Sequence, residues 1–376
     1  MVESLIRALV SDVGHHERVS WAMGETVTVP ASILSQINPV FRPGDNLRLP
    51  RDLPLAPKDC NTAVLLHAAF TPQKPISSRF PLPYHLIPPA IRTLVASFIG
   101  RIQRVRHRTW SIFPDWPLDL SSDFLSDLFC QGSPFHGPCP VILTHDIDSK
   151  EGLFNAIKKF LPIEESIGSR SVNYVVPFGW SLDRGMLDEL VARGHELGIH
   201  GFDHANRTAF ADLHELRKRI DAVRSLVECY GVRGYRAPSL LRTPELYFEL
   251  KRLYRYDSSI PTSGGPFPCP NNGCASARPF DIGGISVLPI SLPRDGSLRF
   301  LGYNPDDILK IWRDCAVRIA RSGGVVVLLT HCEYRFSGNK KMFNIYRHFL
   351  EWISEEPAFR FATTDEIFNT MPLHKT

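Results

Sequence analysis

From residue 140 onward, short β-branched runs alternate with amphipathic stretches of helical length. That alternation limits the fold more than any other feature. The strand-like runs are VILTH (141–145), SVNYVV (171–176), ELGIHG (196–201), RGYRA (233–237), YRYDSS (254–259), ISVLPI (285–290), VVVLLTH (325–331) and FRFATT (359–364). Helical patterns fill about 151–169, 182–193, 209–229, 243–253, 306–322 and 341–355. Parallel strands need long crossovers, and a helix is the usual one. The spacing therefore predicts a parallel α/β sheet built of βα units. Seven or eight units in roughly 235 residues fit a distorted (β/α) barrel. An open doubly wound sheet is the competing architecture.

The front of the chain reads differently. Of 31 prolines in 376 residues, 17 lie in the first 140. This skew divides the chain into a proline-rich N-terminal subdomain, 1–138, of unassigned role and a barrel domain, 139–376. In residues 1–75, VTVPASI and NTAVLLHAAF are strand-like, with FRPGDNLRLPRDLPLAP as a loop between them. Residues 110–140 form a Trp- and Pro-rich connector. Net charge is only +4, which excludes the strongly basic signature of a nucleic-acid binder.

Between them, residues 89–108 follow a helical period. Ile91, Leu94, Val95, Phe98, Ile99, Ile102 and Val105 recur at that spacing, with Arg92, Arg101, Arg104, Arg106 and Arg108 around them. Such a helix either packs on a core with a solvated basic face or touches an anionic membrane through residues 91–108. No run approaches 18 apolar residues, and no N-terminal apolar run precedes a small-residue cleavage site. A cytoplasmic location, peripheral to membrane if that helix touches lipid, is the expectation. The eight cysteines contain no CxxC pair. Cys269 and Cys274 suit a loop disulfide or free thiols better than a zinc site. Reduced thiols fit the cytoplasm.

In α/β folds, chemistry gathers at the C-terminal ends of the strands. Here VILTH runs into Asp146-Ile147-Asp148, and alternate strand positions point the same way. ELGIHG ends at His200, with His204 four residues on. RGYRA ends in Arg236-Ala237-Pro238, and the last apolar run ends at His331. An H-x3-H pair alone is weak, and so is a D-x-D pair alone. Their joint arrival at four strand ends is the composition of a metal-dependent hydrolase.

The order of these motifs resembles the polysaccharide deacetylase family (NodB-like, carbohydrate esterase family 4), over roughly residues 139–365. Thr144-His145-Asp146-Ile147-Asp148 resembles the family's first motif, T-F-D-D-G, with one residue between the acids. His200-Gly201-Phe202-Asp203-His204, preceded by Gly-His-Glu-Leu-Gly at 194–198, corresponds to H-[ST]-x-x-H. Arg236-Ala237-Pro238 matches R-x-P-Y, with Ser239 in place of Tyr. Tyr256-Asp257-Ser258-Ser259 looks like the next strand, and Leu329-Thr330-His331 matches the final L-x-H. The fourth motif, an Asp shortly before a Trp, is not evident; Asp281 or Asp295 could supply its acid.

The resemblance implies a distorted (β/α) barrel of the NodB type and removal of N-acetyl groups from an acetamido sugar. Asp148, His200 and His204 would hold a divalent metal, Zn²⁺ first, with Co²⁺, Ni²⁺ or Mn²⁺ as alternatives. Asp146 would be the base for the attacking water, and Arg236 would orient it. The backbone N–H after Pro238 would help hold the oxyanion. His331 would protonate the leaving amine. The spacing of the acids leaves the reverse assignment of Asp146 and Asp148 open. His145 stands where an aromatic is usual, as a partner of the site or a wall residue. Cys332 reads as a buried small residue, and Glu333 carries no assigned role.

The expected partner is a saccharide or lipid-linked saccharide, with no nucleic acid. Oligomeric state is not readable. Two rival functions stand beside deacetylation. One is a related C–N hydrolase acting on a small amide or cyclic ureide. The other is a saccharide-binding module without turnover.

Overall fold

The computed structural model describes residues 19–21, 24–29, 47–50, 88–105, 137–264, 273–274, 276–282 and 284–370. The strand expected at 61–70, the connector at 110–136, Arg106, Arg108, Cys269 and most of the loop leading to Cys274 lie outside them. Near the N-terminus, β1 (Val19–Trp21), β2 (Gly24–Val29) and β3 (Leu47–Pro50) pair antiparallel in that order. A strand thus lies inside the segment read from its prolines and charges as loop. Pro50 closes that strand, at an edge of the sheet where its missing N–H is tolerated. Helix α1 (Pro89–Val105) follows.

A curled sheet then carries the rest. Its strands are β4 (Cys139–Ile147), β5 (Ser171–Val175), β6 (Glu196–His200), β7 (Gly234–Arg236), β8 (Tyr256–Asp257), β9 (Phe280–Ile282), β10 (Ile285–Val287), β11 (Val326–His331) and β12 (Phe359–Phe361). The order is β11-β4-β5-β6-β7-β8-β10-β9, with β12 also pairing β4. Every pair is parallel except β9–β10. Past β10 the chain bends back beside β11, where the Leu292 amide donates to Val327 O at 3.1 Å. The sheet is therefore the expected distorted barrel and not an open doubly wound sheet.

The helices are α2 (Lys150–Asn155), α3 (Leu161–Ser166), α4 (Arg184–Ala192), α5 (Leu213–Ala222), α6 (Arg224–Tyr230), α7 (Pro244–Leu250), α8 (Asp295–Phe300), α9 (Pro305–Ser322), α10 (Lys340–Glu355) and α11 (Thr364–Thr370). The pattern at 151–169 reads as one helix; the structure interrupts it with a π-turn at Ala156–Phe160. Pro162 explains this, since a helix-interior proline removes one N–H and crowds the preceding turn. The pattern at 209–229 becomes two helices. Asp212 caps the first by accepting from the Glu215 amide, which fixes its start at Leu213. Helices α8 and α11 carry no clear period and escape a sequence reading.

Strand β4 is buried along all nine residues, as expected of a central parallel strand covered on both faces. Its outward side chains meet the helix layer, where Leu143, Phe160, Leu187, Leu216, Trp312 and Phe349 belong to one core. Each such fully buried side chain contributes about 1.5–3 kcal/mol. Inside the barrel, Ile142, Val172, Tyr174, Tyr256, Leu288 and Val327 fill the lower half, and Phe368 of α11 closes the bottom. These apolar side chains occupy the lower interior, and the polar side chains singled out from sequence lie at the upper rim.

Candidate active site

At that rim the structure brings together all six residues singled out from sequence. Asp146, Asp148, His200, His204 and His331 line one cleft with Thr93, Ser239, Arg294, Ser297, Phe300, Arg335 and Phe336. Arg236 lies directly beneath, fully buried.

Asp146 and Arg236 form the floor. Thr144 and Asp146 alternate toward the barrel interior along β4. Arg236 Nη1 donates to Asp146 Oδ1 at 2.9 Å and to Thr144 Oγ1 at 3.0 Å. Its Nε donates to Ser258 O at 2.8 Å and its Nη2 to Ser258 Oγ at 2.9 Å. The guanidinium stacks 4.0 Å above the Tyr174 ring. Burial pushes the Asp146 carboxyl up, but the charges of His200, Arg236 and His331 outweigh it and hold it below the usual range. Asp146 is therefore an ionised carboxylate with one oxygen fixed by Arg236.

Asp148, His200 and His204 gather above it. One donor atom from each lies within 4.8 Å of the other two. His200 Nδ1 donates to Arg236 O at 3.0 Å, which leaves Nε2 as the lone-pair nitrogen. That Nε2 is 3.6 Å from Asp148 Oδ1 and 3.6 Å from Asp146 Oδ2. His204 Nε2 is 3.4 Å from Asp148 Oδ1. Burial lowers the His200 pKa, against the pull of both carboxylates, and favours the neutral, ligand-ready ring. Asp148 Oδ1 is buried without a hydrogen-bond donor. A buried carboxylate oxygen left unpaired is costly, and a divalent cation among these three donors removes that cost. The donor set fits a metal. Asp146 is engaged by Arg236, and Asp148 Oδ1 lies near both imidazoles.

Local backbone geometry makes this convergence. Gly201 has φ +67°, and a Cβ there would sit 2.4 Å from Pro238 Cδ. Only glycine fits, which accounts for its presence where the resemblance leads one to expect Ser or Thr. His204 also lies in the left-handed region, at φ 56°. A non-glycine residue held there signals a constrained site. Ser239 and Leu240 repeat that conformation after Pro238, at φ 53° and 57°, and this tight turn brings Ser239 to the cleft.

His331 stands at the end of β11. Its Nδ1 donates to Asp295 Oδ1 at 2.7 Å, and its amide donates to Asp295 Oδ2 at 2.9 Å. Ser337 Oγ donates to the same Oδ2 at 2.6 Å. Burial lowers the imidazole pKa, but Asp295, Asp148 and Asp146 outweigh it and push it up to about 9. Of the two acids considered from sequence, Asp295 is the one seated on His331. Asp281 lies on β9, at the far end of the sheet.

Two neighbours of Asp148 escaped the sequence reading. Glu333 Oε1 accepts from the Asp148 amide and from Ser149 Oγ, each at 2.9 Å. Arg335 Nη2 lies 3.3 Å from Asp148 Oδ2. Their only signal is position, two and four residues past a strand-end histidine. His145 points away from the site into the wall, where its Nε2 donates to Glu164 Oε1 at 2.7 Å beside Phe160 and Tyr346. Cys332 is buried, its thiol pushed well up by burial, and the buried Cys274 donates its thiol to Ser276 O at 3.2 Å.

No family model and no curated protein sequence matches the chain. Solved structures do. A protein described as a polysaccharide deacetylase from Mycobacterium smegmatis is similar at 21% identity and TM-score 0.51, covering 63% of this chain and 91% of its own. An allantoinase is similar at 16% identity and TM-score 0.49, covering 68% and 97%. A peptidoglycan deacetylase from Bacillus subtilis is similar at 14% identity and TM-score 0.41, covering 64% and 93%. At these identities the likeness speaks for the fold alone. In fold, residues 139–370 of this chain are a barrel of the polysaccharide deacetylase, NodB-like type.

Proposed function

We propose that the chain is a metal-dependent N-deacetylase acting on an acetamido sugar within a saccharide. One arrangement carries the reading. The Asp148–His200–His204 donors sit between an arginine-fixed carboxylate, Asp146, and an aspartate-held imidazole, His331. A divalent cation held by those three, Zn²⁺ first and Co²⁺, Ni²⁺ or Mn²⁺ next, supplies Lewis-acid polarisation of the acyl carbonyl.

The chain's own residues do the rest. Asp146, kept ionised, takes a proton from the attacking water as the new C–O bond forms. Arg236 keeps its other oxygen engaged and so fixes its direction. The Ser239 turn brings a backbone N–H toward the developing oxyanion. His331, with Nδ1 bound to Asp295, has Nε2 available to the cleft. It donates a proton to the amine nitrogen as the C–N bond breaks, releasing acetate and the free amine. An amide nitrogen leaves only when protonated, so a pKa near neutrality or above suits this role. Phe300 and Phe336 give the cleft apolar faces of the kind that a sugar ring packs on.

The test is acetate release from a panel of N-acetylated saccharides, with and without chelator, for wild type and His200→Ala. Chelator-sensitive release that His200→Ala loses supports the reading. Release that chelator does not touch removes the metal from the mechanism. Metal uptake without release from any saccharide turns the weight to a small-amide hydrolase or a binding module.

A further inference from the structure

Helix α1 is mounted the wrong way round for a helix that serves a core. It docks through its small side. Ala96 is buried, and a Cβ on Gly100 would stand 2.0 Å from Phe300 O of α8. Arg104 Nη1 donates to Gly302 O at 2.9 Å, and its guanidinium lies 4.1 Å over the Tyr303 ring. The apolar side points outward. Ile91, Leu94, Val95, Phe98, Ile102 and Val105 are 42–86% exposed. At about 100° per residue these six share one arc opposite Gly100. Single exposed apolar residues are ordinary, but a contiguous stripe of this size marks a contact surface.

The charge pattern indicates what that surface meets. Residues 89–108 contain five arginines and no aspartate or glutamate. By helical position, residues 92 and 101 fall on the two flanks of the apolar arc, with the exposed Arg101 reaching past Gly302. Apolar residues in the middle and cations at both margins match a helix lying in the headgroup region of an anionic bilayer. Among the described residues, no helix is long and apolar enough to cross a membrane. The same helix reaches the site, because Thr93 lines the cleft and α8, on which α1 rests, begins at Asp295, the partner of His331.

We propose that helix α1 seats the enzyme on an anionic lipid surface and opens its cleft toward substrate presented there. Resting on the deacetylase reading, this narrows the substrate to an acetamido saccharide carried on a membrane lipid. The apolar arc enters the acyl boundary, the flanking positions 92 and 101 lie at headgroup level, and Thr93 marks the edge where the saccharide passes from membrane to cleft.

The experiment is sedimentation of the full chain with vesicles of phosphatidylcholine alone or mixed with phosphatidylglycerol. Wild type should bind the mixed vesicles and release as salt screens the charges. Leu94→Asp with Phe98→Asp should lower the bound fraction by about tenfold or more, with Tm unchanged. The inference falls if wild type stays in the supernatant. It falls if the double variant lowers Tm, which shows the arc covered by the chain itself. It falls if wild type is a dimer that the variant dissociates. His200→Ala should sediment as wild type does. Vesicle binding without acetate release from any substrate therefore sinks only the deacetylase reading. Acetate release from soluble saccharides without vesicle binding sinks only this one.

Discussion

The two ends of the proposed proton path, His331 and Asp146, are each set by one charged partner, and both are measurable. Asp295 holds His331 Nδ1 at 2.7 Å and raises the imidazole to about 9, although burial works against it. A raised histidine pKa adds stability that is fully present below the ordinary value of about 6.5 and lost as pH rises through the folded value. The same titration would remove the acid of the proposed reaction, so activity should decline on the alkaline side as His331 loses its proton. Asp295→Asn removes the charge that raises it. The alkaline limb should then move to lower pH and kcat should fall by about 10²-fold or more, read from a pH–rate profile. A limb that stays in place would remove His331 from the acid role. Arg236 sets the other end. It is wholly buried and engages Asp146, Thr144 and Ser258. Arg236→Ala leaves a buried carboxylate without its cation, which costs about 3–5 kcal/mol. The midpoint of urea unfolding should fall accordingly, while Lys310→Ala, at an exposed ion pair with Asp314, should move it far less.

At the scale of elements, the site is a meeting of four strand ends, and each loop beyond them needs a fixed shape. Glu333, past the end of β11, ties down the start of the β4 loop by accepting from the Asp148 amide and Ser149. Glu333→Gln keeps the size but replaces one acceptor oxygen with a donor. Support lost behind a metal ligand typically costs about 10–100-fold in affinity, so if Asp148 is the ligand proposed, a zinc titration of the variant should show a loss of that order with Tm little changed. The β6 loop depends on Gly201 in the same way. Gly201→Ala forces a Cβ against Pro238 at a backbone angle that disfavours it, and both stability and metal affinity should fall.

These loops also show what the sequence could disclose. Strand ends were legible because β-branched runs mark strands and chemistry gathers at their C-termini, so Asp146, Asp148, His200, Arg236 and His331 could be named together. Glu333 and Arg335 were not, because they act through backbone and carboxylate contacts that no spacing rule encodes. Asp295 could be narrowed only to one of two acids, since α8 is six residues long and has no period to reveal it. The break in the 151–169 helix was written in Pro162, but its form as a π-turn depends on how the following turn packs.

For the whole molecule, the question is how the proline-rich front bears on the barrel. Where it is described, the bearing is α1 against α8, and its tightest point is Gly100. A glycine in a helix interior costs about 1 kcal/mol relative to alanine, so its presence there needs a reason. The reason is contact. Backbone carbonyl Phe300 O occupies the space of a Cβ, and a backbone atom cannot step aside as the end of a side chain can. Gly100→Val should therefore lift α1 away from α8. The Asp148, His200 and His204 donors come from the ends of β4 and β6 and not from α1 or α8, so zinc affinity should hold. Thr93 and the α8 residues Ser297 and Phe300 line the cleft, so saccharide binding should weaken, raising KM several-fold. Limited proteolysis should cut within 89–105 faster than in wild type, since an undocked helix loses its packing partners. Equal loss of zinc affinity would show that α1 supports the barrel as a whole. Unchanged KM with faster cleavage would show that α1 is a passenger on the barrel and takes no part in forming the cleft.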